Sequence, residues 1–139
     1  MKVFLDTNVL LDAFDERNDP RLIADGRKII SLAIGRCYDL YMSVLSVPTM
    51  AYLIKRKTSE EKKALIQEIV GIVTPLPSLP EHIQKAMNSP MNDIEDALQL
   101  LSALEGGCDV IITRDTDFKK SGFPVITPSD FLRRISAAD

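Results

Sequence analysis

The segment Val3-Phe4-Leu5-Asp6-Thr7-Asn8 decides the fold, because in it a short apolar run ends directly in a carboxylate. Short continuous apolar runs are typical of strands buried on both faces, as they are in a parallel sheet. Similar runs follow at Leu40-Tyr41-Met42, Ile72-Val73, Val110-Ile111-Ile112 and Pro124-Val125-Ile126. The sequence therefore predicts a mainly parallel sheet of roughly five strands.

Segments with a helical spacing of apolar residues separate the predicted strands. They cover residues 20–34, 47–55, 60–70, 81–87 and 93–104. This alternation of strands and helices predicts an α/β fold, a three-layer α/β/α sandwich. Because no repeat, low-complexity stretch or linker interrupts the chain, residues 1–139 are expected to form a single domain.

Capping residues support three of the helix boundaries. Thr58 or Ser59 is placed to cap the helix that begins at Glu60, and Gly106-Gly107 is placed to end the helix before the next strand. Thr127-Pro128-Ser129-Asp130 has the pattern of an N-cap, a proline at the first helical position and an acid two residues later. The last aspartate of this segment is therefore interpreted as part of a cap and not as a ligand.

The composition excludes several function classes. With 45% hydrophobic and 27% charged residues, the 139-residue chain is that of an ordinary globular protein. Its net charge of −3 carries no global signal for nucleic acid, but acids gathered around a cation lower that sum without describing the surface around them. His82 is the only histidine, which removes Ser-His-Asp, Cys-His and histidine-rich zinc chemistry.

The two cysteines and the start of the chain bear on location. Cys37 and Cys108 form no zinc pattern. Asp6 comes too early for a signal peptide, and no apolar run approaches membrane length. A cytoplasmic protein with reduced thiols is therefore expected.

Asp6 is the first candidate ligand, since sites of parallel sheets form outside the carboxyl ends of the strands. In the alternative interpretation, Asp6 caps a short helix that begins near Thr7. Thr7 and Asn8 are placed either to orient Asp6 or a metal-bound water, or to serve the turn.

The helix expected from Asp93 carries acids at its start. At about 100° per residue, one apolar stripe is formed by Ala97, Leu100, Leu101 and Leu104. Asp93 lies on the line of that stripe, Asp96 lies beside it, and Glu95 is expected to point the opposite way, toward solvent. Two acids on an inward face repel each other unless a cation separates them. Alternatively, Asn92 or Asp93 is the N-cap and Asp96 stabilises the helix dipole.

Asp115 and Asp117 follow another predicted strand end, directly after Thr113. Asp115 is interpreted as a ligand, and Asp117 as a helper or as the cap of a helix leading to Lys119. Four further acids, Asp12, Asp15, Glu16 and Asp19, are expected on a solvated polar loop. Asp12 is the exception to watch, because it follows Asn8 by about one helical turn.

Three groups of acids would thus project from one edge of a parallel sheet. Oxygen ligands without histidine or cysteine suit hard cations such as Mg²⁺ or Mn²⁺. Such ions commonly serve phosphate substrates, since they activate water and neutralise charge on a phosphoryl group.

Three motifs in this order resemble the PIN-domain family, the metal-dependent ribonuclease fold of many bacterial toxin–antitoxin pairs. Residues 5–12 are similar to the family's opening motif, residues 95–104 to its central helix, and residues 112–118 to its late strand and loop. Thr127-Pro128 and Phe131-Leu132 close the chain in a similar way. The family's sheet is parallel with helices on both faces, in agreement with the fold expected above.

The resemblance implies hydrolysis of RNA phosphodiesters with Mg²⁺ or Mn²⁺. It implies metal binding by Asp6, Asp96 and Asp115, supported by Asp93 and Asp117. Many family members form homodimers, and the toxins among them are held silent by an antitoxin protein. A homodimer and an antitoxin partner are therefore expected.

The chain departs from the family at one position. Members usually carry a glutamate on the helix after the second strand, where this chain has Thr49 or Ser46. A hydroxyl is able to bind a metal-held water but adds no charge. Either Asp93 compensates, or the protein is a catalytically weak or inactive PIN-fold protein that binds RNA or a protein partner.

Arg114 is the leading candidate for contact with substrate phosphates, and Lys119-Lys120 are further candidates. Lys55-Arg56-Lys57 is better interpreted as a solvated helix end. A different class, phosphoryl transfer to an aspartate, is disfavoured. Phosphatases of that type need a second aspartate where Asn8 stands.

Overall fold

The computed structural model describes residues 1–15, 19–35, 37–55 and 58–138. The strands are β1 (Lys2–Leu5), β2 (Asp39–Ser43), β3 (Thr74–Leu76), β4 (Val110–Ile112) and β5 (Val125–Ile126). The α-helices are α1 (Thr7–Phe14), α2 (Pro20–Ile34), α3 (Ser46–Leu53), α4 (Ser59–Ile72), α5 (Pro80–Met87), α6 (Ile94–Glu105) and α7 (Pro128–Ala138). A 3₁₀ helix spans Thr116–Ser121.

The strands form one sheet in the order β3-β2-β1-β4-β5, and every neighbouring pair is parallel. Successive side chains of a strand point to opposite faces, so β1 contributes to two cores. Phe4 packs on one face with residues of α5, α6 and the 3₁₀ helix, including Ala97 and Phe118. Val3 and Leu5 pack on the other face, with residues of α1 to α4 and α7. The predicted three-layer α/β/α sandwich with a parallel, five-stranded sheet is confirmed.

One predicted strand is wrong. Ile72-Val73 ends α4 instead of forming a strand, and the backbone N–H of Val73 donates to the carbonyl of Ile69 at 2.8 Å. The third strand begins one residue later, at Thr74. A two-residue apolar run fits the last buried turn of a helix as well as a strand, so periodicity does not separate the two.

The acids after the first strand are also placed differently from the prediction. Asp12 and Asp15 are buried, because the segment that contains Asp12 is helix α1 packed against α2 and not a polar loop. Asp19 accepts a hydrogen bond from the backbone N–H of Arg21 at 2.8 Å and caps α2. Glu16 lies outside the described residues.

The predicted caps agree with the structure. Thr58 accepts a hydrogen bond from the backbone N–H of Glu61 at 3.1 Å, and Thr127 accepts one from that of Asp130 at 3.2 Å. Gly106 follows the last residue of α6. Within the described ranges, no helix is long and apolar enough to cross a membrane.

Candidate active site

Asp6 and Thr113 lie side by side at the carboxyl ends of the two central strands. Leu5 is in register with Ile112, and the backbone N–H of Asp6 donates to the carbonyl of Ile112 at 3.1 Å. In the sheet, β2 lies on one side of β1 and the later strand β4 lies on its other side. Ligands of open α/β sheets bind at such a switch point.

The Asp6 carboxylate is buried and is held by Thr113, whose hydroxyl donates to Oδ2 at 2.9 Å. Although Asp6 stands at the N-cap position of α1, its side chain makes no capping hydrogen bond. Burial raises the pKa of Asp6 above its ordinary value, and repulsion from Asp115 adds to that rise. Hydrogen bonds from Thr113 and Gln99 oppose the rise. The carboxylate is therefore turned to the site instead of serving the helix.

Asp96 is also surrounded by like charges. Burial raises the pKa of its carboxyl to about 8, and repulsion from Asp6 and Asp93 contributes, followed by the proximity of Asp115. These carboxylates come from the end of β1, the start of α6 and the loop after β4, as expected from the sequence. The structure thus brings Asp6, Asp96 and Asp115 close enough for their carboxylates to repel one another.

Asp93 has the capping role that competed with a ligand role. Its side chain accepts a hydrogen bond from the backbone N–H of Asp96 at 2.9 Å and begins α6. It is exposed and adds negative charge next to Asp96. Asp93 therefore supports the site through the helix start.

The roles of Asp115 and Asp117 differ in part from the prediction. Asp115, and not Asp117, caps the 3₁₀ helix, accepting from the backbone N–H of Asp117 at 2.9 Å. Asp117 accepts from the backbone N–H groups of Asn92 at 2.9 Å and Asp93 at 3.2 Å, and it pairs with Lys120 at 3.2 Å. The Asn92 bond in particular lowers the pKa of Asp117. Asp117 therefore anchors the loop before α6.

Gln99 is a site residue that the sequence did not reveal. Its buried side chain accepts a hydrogen bond from the backbone N–H of Thr7 at 3.3 Å. Its amide nitrogen donates to Oδ1 of Asp96 at 3.4 Å, and its contact with Asp6 lowers the pKa of that carboxyl. Gln99 thus connects two carboxylates that repel each other.

The buried face of α6 is wider than the apolar stripe expected from the sequence, of which Ala97 is buried and Leu100 and Leu101 are half-buried against the core. The buried residues of this helix are Ala97, Gln99, Ser102 and Ala103. Leu104, expected in the core, is 58% exposed. Polar side chains are buried beside the stripe because they have partners, for example Ser102 with the carbonyl of Pro77 at 3.0 Å. The sequence contains one signal of this, since Glu95, Gln99 and Ser102 share a helical face.

The prediction that Glu95 points toward solvent is wrong for the same reason. Glu95 is half-buried, and the hydroxyl of Thr49 donates to its Oε1 at 2.9 Å. Thr49 lies in α3, one turn after Ser46, whose hydroxyl is 2.7 Å from that of Thr7. Helix α3 therefore contacts the site through two side chains, Ser46 and Thr49.

Arg114 lies beside the carboxylates but has an acidic partner of its own. Its guanidinium donates to Oδ2 of the buried Asp12 at 2.5 Å. Asn8 is exposed on α1. Lys55 is exposed at the end of α3, whereas Arg56 and Lys57 lie outside the described residues.

The chemistry of the donor set fits a hard divalent cation, which prefers carboxylate oxygen. Like charges at Asp6, Asp96 and Asp115 are costly together, and a cation among them reverses that cost. In the described part of the chain, no group of three or more His, Cys, Asp or Glu side chains is already arranged to hold a metal ion. Binding therefore requires side-chain rotation, for which the half-buried Asp96 and the exposed Asp115 have room.

Comparison with known proteins agrees with this architecture. The model of the PIN domain family matches residues 2–117, so the chain belongs to the PIN domain family. Ribonuclease VapC1 of Aquifex aeolicus (strain VF5) is 31% identical over 140 residues, covering 96% of this chain and 94% of the relative.

Two solved structures share the fold. The structure of VapBC2 from Rickettsia felis, bound to a DNA fragment from its promoter, has a TM-score of 0.66 at 12% identity, covering 91% of this chain and 98% of the other. That of VapBC-1 from nontypeable Haemophilus influenzae has a TM-score of 0.66 at 20% identity, covering 93% and 99%.

Proposed function

We propose that the protein is a metal-dependent endoribonuclease that hydrolyses RNA phosphodiesters, and that it is the toxin of a toxin–antitoxin pair. The observation that carries the proposal is the convergence of Asp6, Asp96 and Asp115 at the carboxyl edge of the sheet, where burial and mutual repulsion raise the pKa of Asp96. Membership of the PIN domain family and the name of the relative from Aquifex aeolicus support it.

Asp6, Asp96 and Asp115 would hold Mg²⁺ or Mn²⁺. Such an ion supplies activation of water and neutralisation of the charge that builds on the phosphoryl group. Thr113 and Gln99 keep the carboxylates in place, and Asp93 and Asp117 fix the start of α6. These contacts restrict Asp6 and the start of α6, so that only Asp96 and Asp115 have to rotate when the ion binds.

Arg114 is the group we assign to the substrate phosphate. Its side chain is 32% exposed beside the carboxylates, so it keeps access to solvent while Asp12 holds it. A guanidinium fixed in this way is able to bind a phosphate oxygen with a smaller loss of side-chain entropy. The whole of residues 1–139 is proposed to act as one domain.

An antitoxin is the proposed protein partner. The solved structures that share this fold, VapBC2 and VapBC-1, support a partner of this kind, and the first is bound to a DNA fragment from its promoter. The homodimer expected from the family resemblance stays a prediction, to be measured by light scattering of the purified protein.

The test of the function is cleavage of RNA by the purified protein with Mg²⁺ or Mn²⁺. We expect cleavage that EDTA stops and that Asp96→Asn abolishes. Asp39→Asn is the matched control, because Asp39 is an exposed aspartate at the opposite, amino end of β2. Folded protein that leaves every tested RNA intact with either metal would contradict the proposal.

A second candidate is a weakly active or inactive PIN-fold protein that binds RNA or a protein partner. Thr49 at the position of the usual glutamate favours it, together with the lack of a ready-made ligand group in the described ranges. For this candidate, Thr49→Glu should create or strongly raise activity. An enzyme whose site is already complete should gain little from the same change.

A further inference from the structure

We propose that Glu95, positioned by Thr49, supplies a fourth carboxylate to the cation site of this protein. The inference rests on the proposed function, because it assigns a residue to the same metal site. It also identifies the group that replaces the acid missing from α3.

The contact between Glu95 and Thr49 is the first observation. The Thr49 hydroxyl donates to Oε1 of Glu95 at 2.9 Å, and the carbonyl of Leu45 lies farther from that hydroxyl, at 3.3 Å. A solvated glutamate near a helix start does not need such a partner, since water satisfies it. Here the side chain is half-buried and turned across to another helix, which costs rotamer freedom.

The location of the carboxylate is the second observation. A hydroxyl oxygen lies about 1.4 Å from its Cβ, so Oε1 of Glu95 lies within about 4 Å of the Cβ of Thr49. A glutamate at position 49 would place its own carboxylate oxygens about 3 to 4 Å from that Cβ. The Glu95 carboxylate therefore occupies the region that an acid on α3 would reach.

The surroundings of α3 are the third observation. Ser46, one turn before Thr49 and on the same side of the helix, contacts the hydroxyl of Thr7, which follows Asp6. Glu95 itself directly precedes Asp96. The segment of α3 that holds Glu95 thus also contacts Thr7, the residue after Asp6, while Glu95 is the chain neighbour of Asp96.

In this role, Glu95 would add one negative charge to the cation site. Charge count is a main determinant of the affinity of an oxygen site for a divalent ion. Thr49 then acts as a positioning residue, since it fixes a carboxylate that would otherwise rotate into solvent. A hydroxyl at position 49 is therefore the complement of a glutamate at position 95.

The test is the direct binding of Mn²⁺ in the absence of substrate, measured by electron paramagnetic resonance and by calorimetry. Glu95→Gln keeps the shape and an acceptor for Thr49 but removes the charge, and we expect about a tenfold loss of affinity. Glu68→Gln, at an exposed position on α4, should leave the affinity unchanged. Thr49→Val should weaken binding, and Thr49→Ser should retain it.

A second, independent experiment moves the carboxylate from position 95 to position 49. The double variant Thr49→Glu/Glu95→Gln should recover the Mn²⁺ affinity lost in Glu95→Gln, whereas Thr49→Gln/Glu95→Gln, equal in size but uncharged, should not. Thermal unfolding checks that each variant is folded. Recovery supports the placement of the carboxylate, and equal affinity of the two folded double variants contradicts it.

Asp96→Asn separates this inference from the proposed function. If Asp96→Asn weakens Mn²⁺ binding and Glu95→Gln binds as the unmodified protein does, only the role of Glu95 is overturned. If neither variant changes the affinity, the metal site of the proposed function is overturned as well. Loss of affinity in both variants, with Glu68→Gln unaffected, supports both.

Discussion

The hydroxyl of Thr113 donates to Oδ2 of Asp6 at 2.9 Å and thereby joins the ends of two adjacent parallel strands, β1 and β4. Both residues are buried. A carboxylate in that position is destabilised by burial, and the hydrogen bond partly offsets this cost. The site is therefore built on the buried centre of the sheet.

Replacement of Thr113 tests this relationship. Thr113→Val keeps the shape and removes the donor, so the pKa of Asp6 should rise further and a cation should compete with a proton. We expect Mn²⁺ affinity to fall by about tenfold near pH 6 and to recover in part as the pH rises. Thr113→Ser, which keeps the hydroxyl, serves as the control. An unchanged affinity for Thr113→Val across the pH range would show that the bond does not support metal binding.

The pH dependence of stability should reflect Asp96. Its folded-state pKa of about 8 lies above the ordinary value of 3.8, so the metal-free folded state binds a proton more tightly than the unfolded state. The stabilisation of the folded state by this proton is complete below about pH 4 and is lost as the pH rises through about 8. Asp96→Asn should therefore be more stable than the unmodified protein at pH 8, by about 1 kcal/mol because the half-buried carboxyl is screened by solvent.

Thermal unfolding with a chelator, from acid to pH 8, measures this difference. The gap between Asp96→Asn and the unmodified protein should widen as the pH rises. Added Mg²⁺ should stabilise only the unmodified protein, since ligands stabilise the state that binds them. Melting temperatures that stay parallel over the whole pH range would rule out the assigned pKa.

Gln99, although uncharged, is predicted to contribute both to the stability of the fold and to metal binding. Gln99→Met fills the same space but leaves the N–H of Thr7 and the carboxyl of Asp96 without that partner. We expect a loss of about 1 to 2 kcal/mol in the free energy of unfolding and weaker Mn²⁺ binding. Chemical denaturation and metal titration provide the two readouts. Gln67→Met, on the exposed surface of α4, is the matched control and should change neither.

Arg114 is predicted to have a structural role besides its proposed contact with phosphate. Arg114→Met removes the guanidinium from the buried Asp12, and the loss of stability should be about 3 kcal/mol. Asp12→Asn/Arg114→Met should recover part of that stability without recovering RNA affinity. Unfolding midpoints and RNA binding at two salt concentrations measure the two roles. If the double variant is as unstable as the single one, the ion pair is not the cause.

Elements of the fold were predicted correctly where the interactions that define them are local in the sequence. Strands such as Val3-Phe4-Leu5 and helices such as residues 20–34 were predictable, because apolar period and capping residues are local properties. The pair Ile72-Val73 was misplaced because a run of two residues contains no period. The family resemblance, confirmed by the match over residues 2–117, depended on motifs that are also local.

The sequence by itself determined the parallel sheet and the three acidic segments, since strand ends and helix starts are encoded by adjacent residues. Only the tertiary structure decided that polar side chains of α6 are buried beside its apolar stripe. Gln99 meets Thr7 across 92 positions of the chain, and Glu95 meets Thr49 across 46. The apolar pattern predicted only part of the buried face, because a polar side chain such as Gln99 is buried where a distant partner satisfies its hydrogen bonds. Such partners are brought together only by the packing of the sheet and its helices.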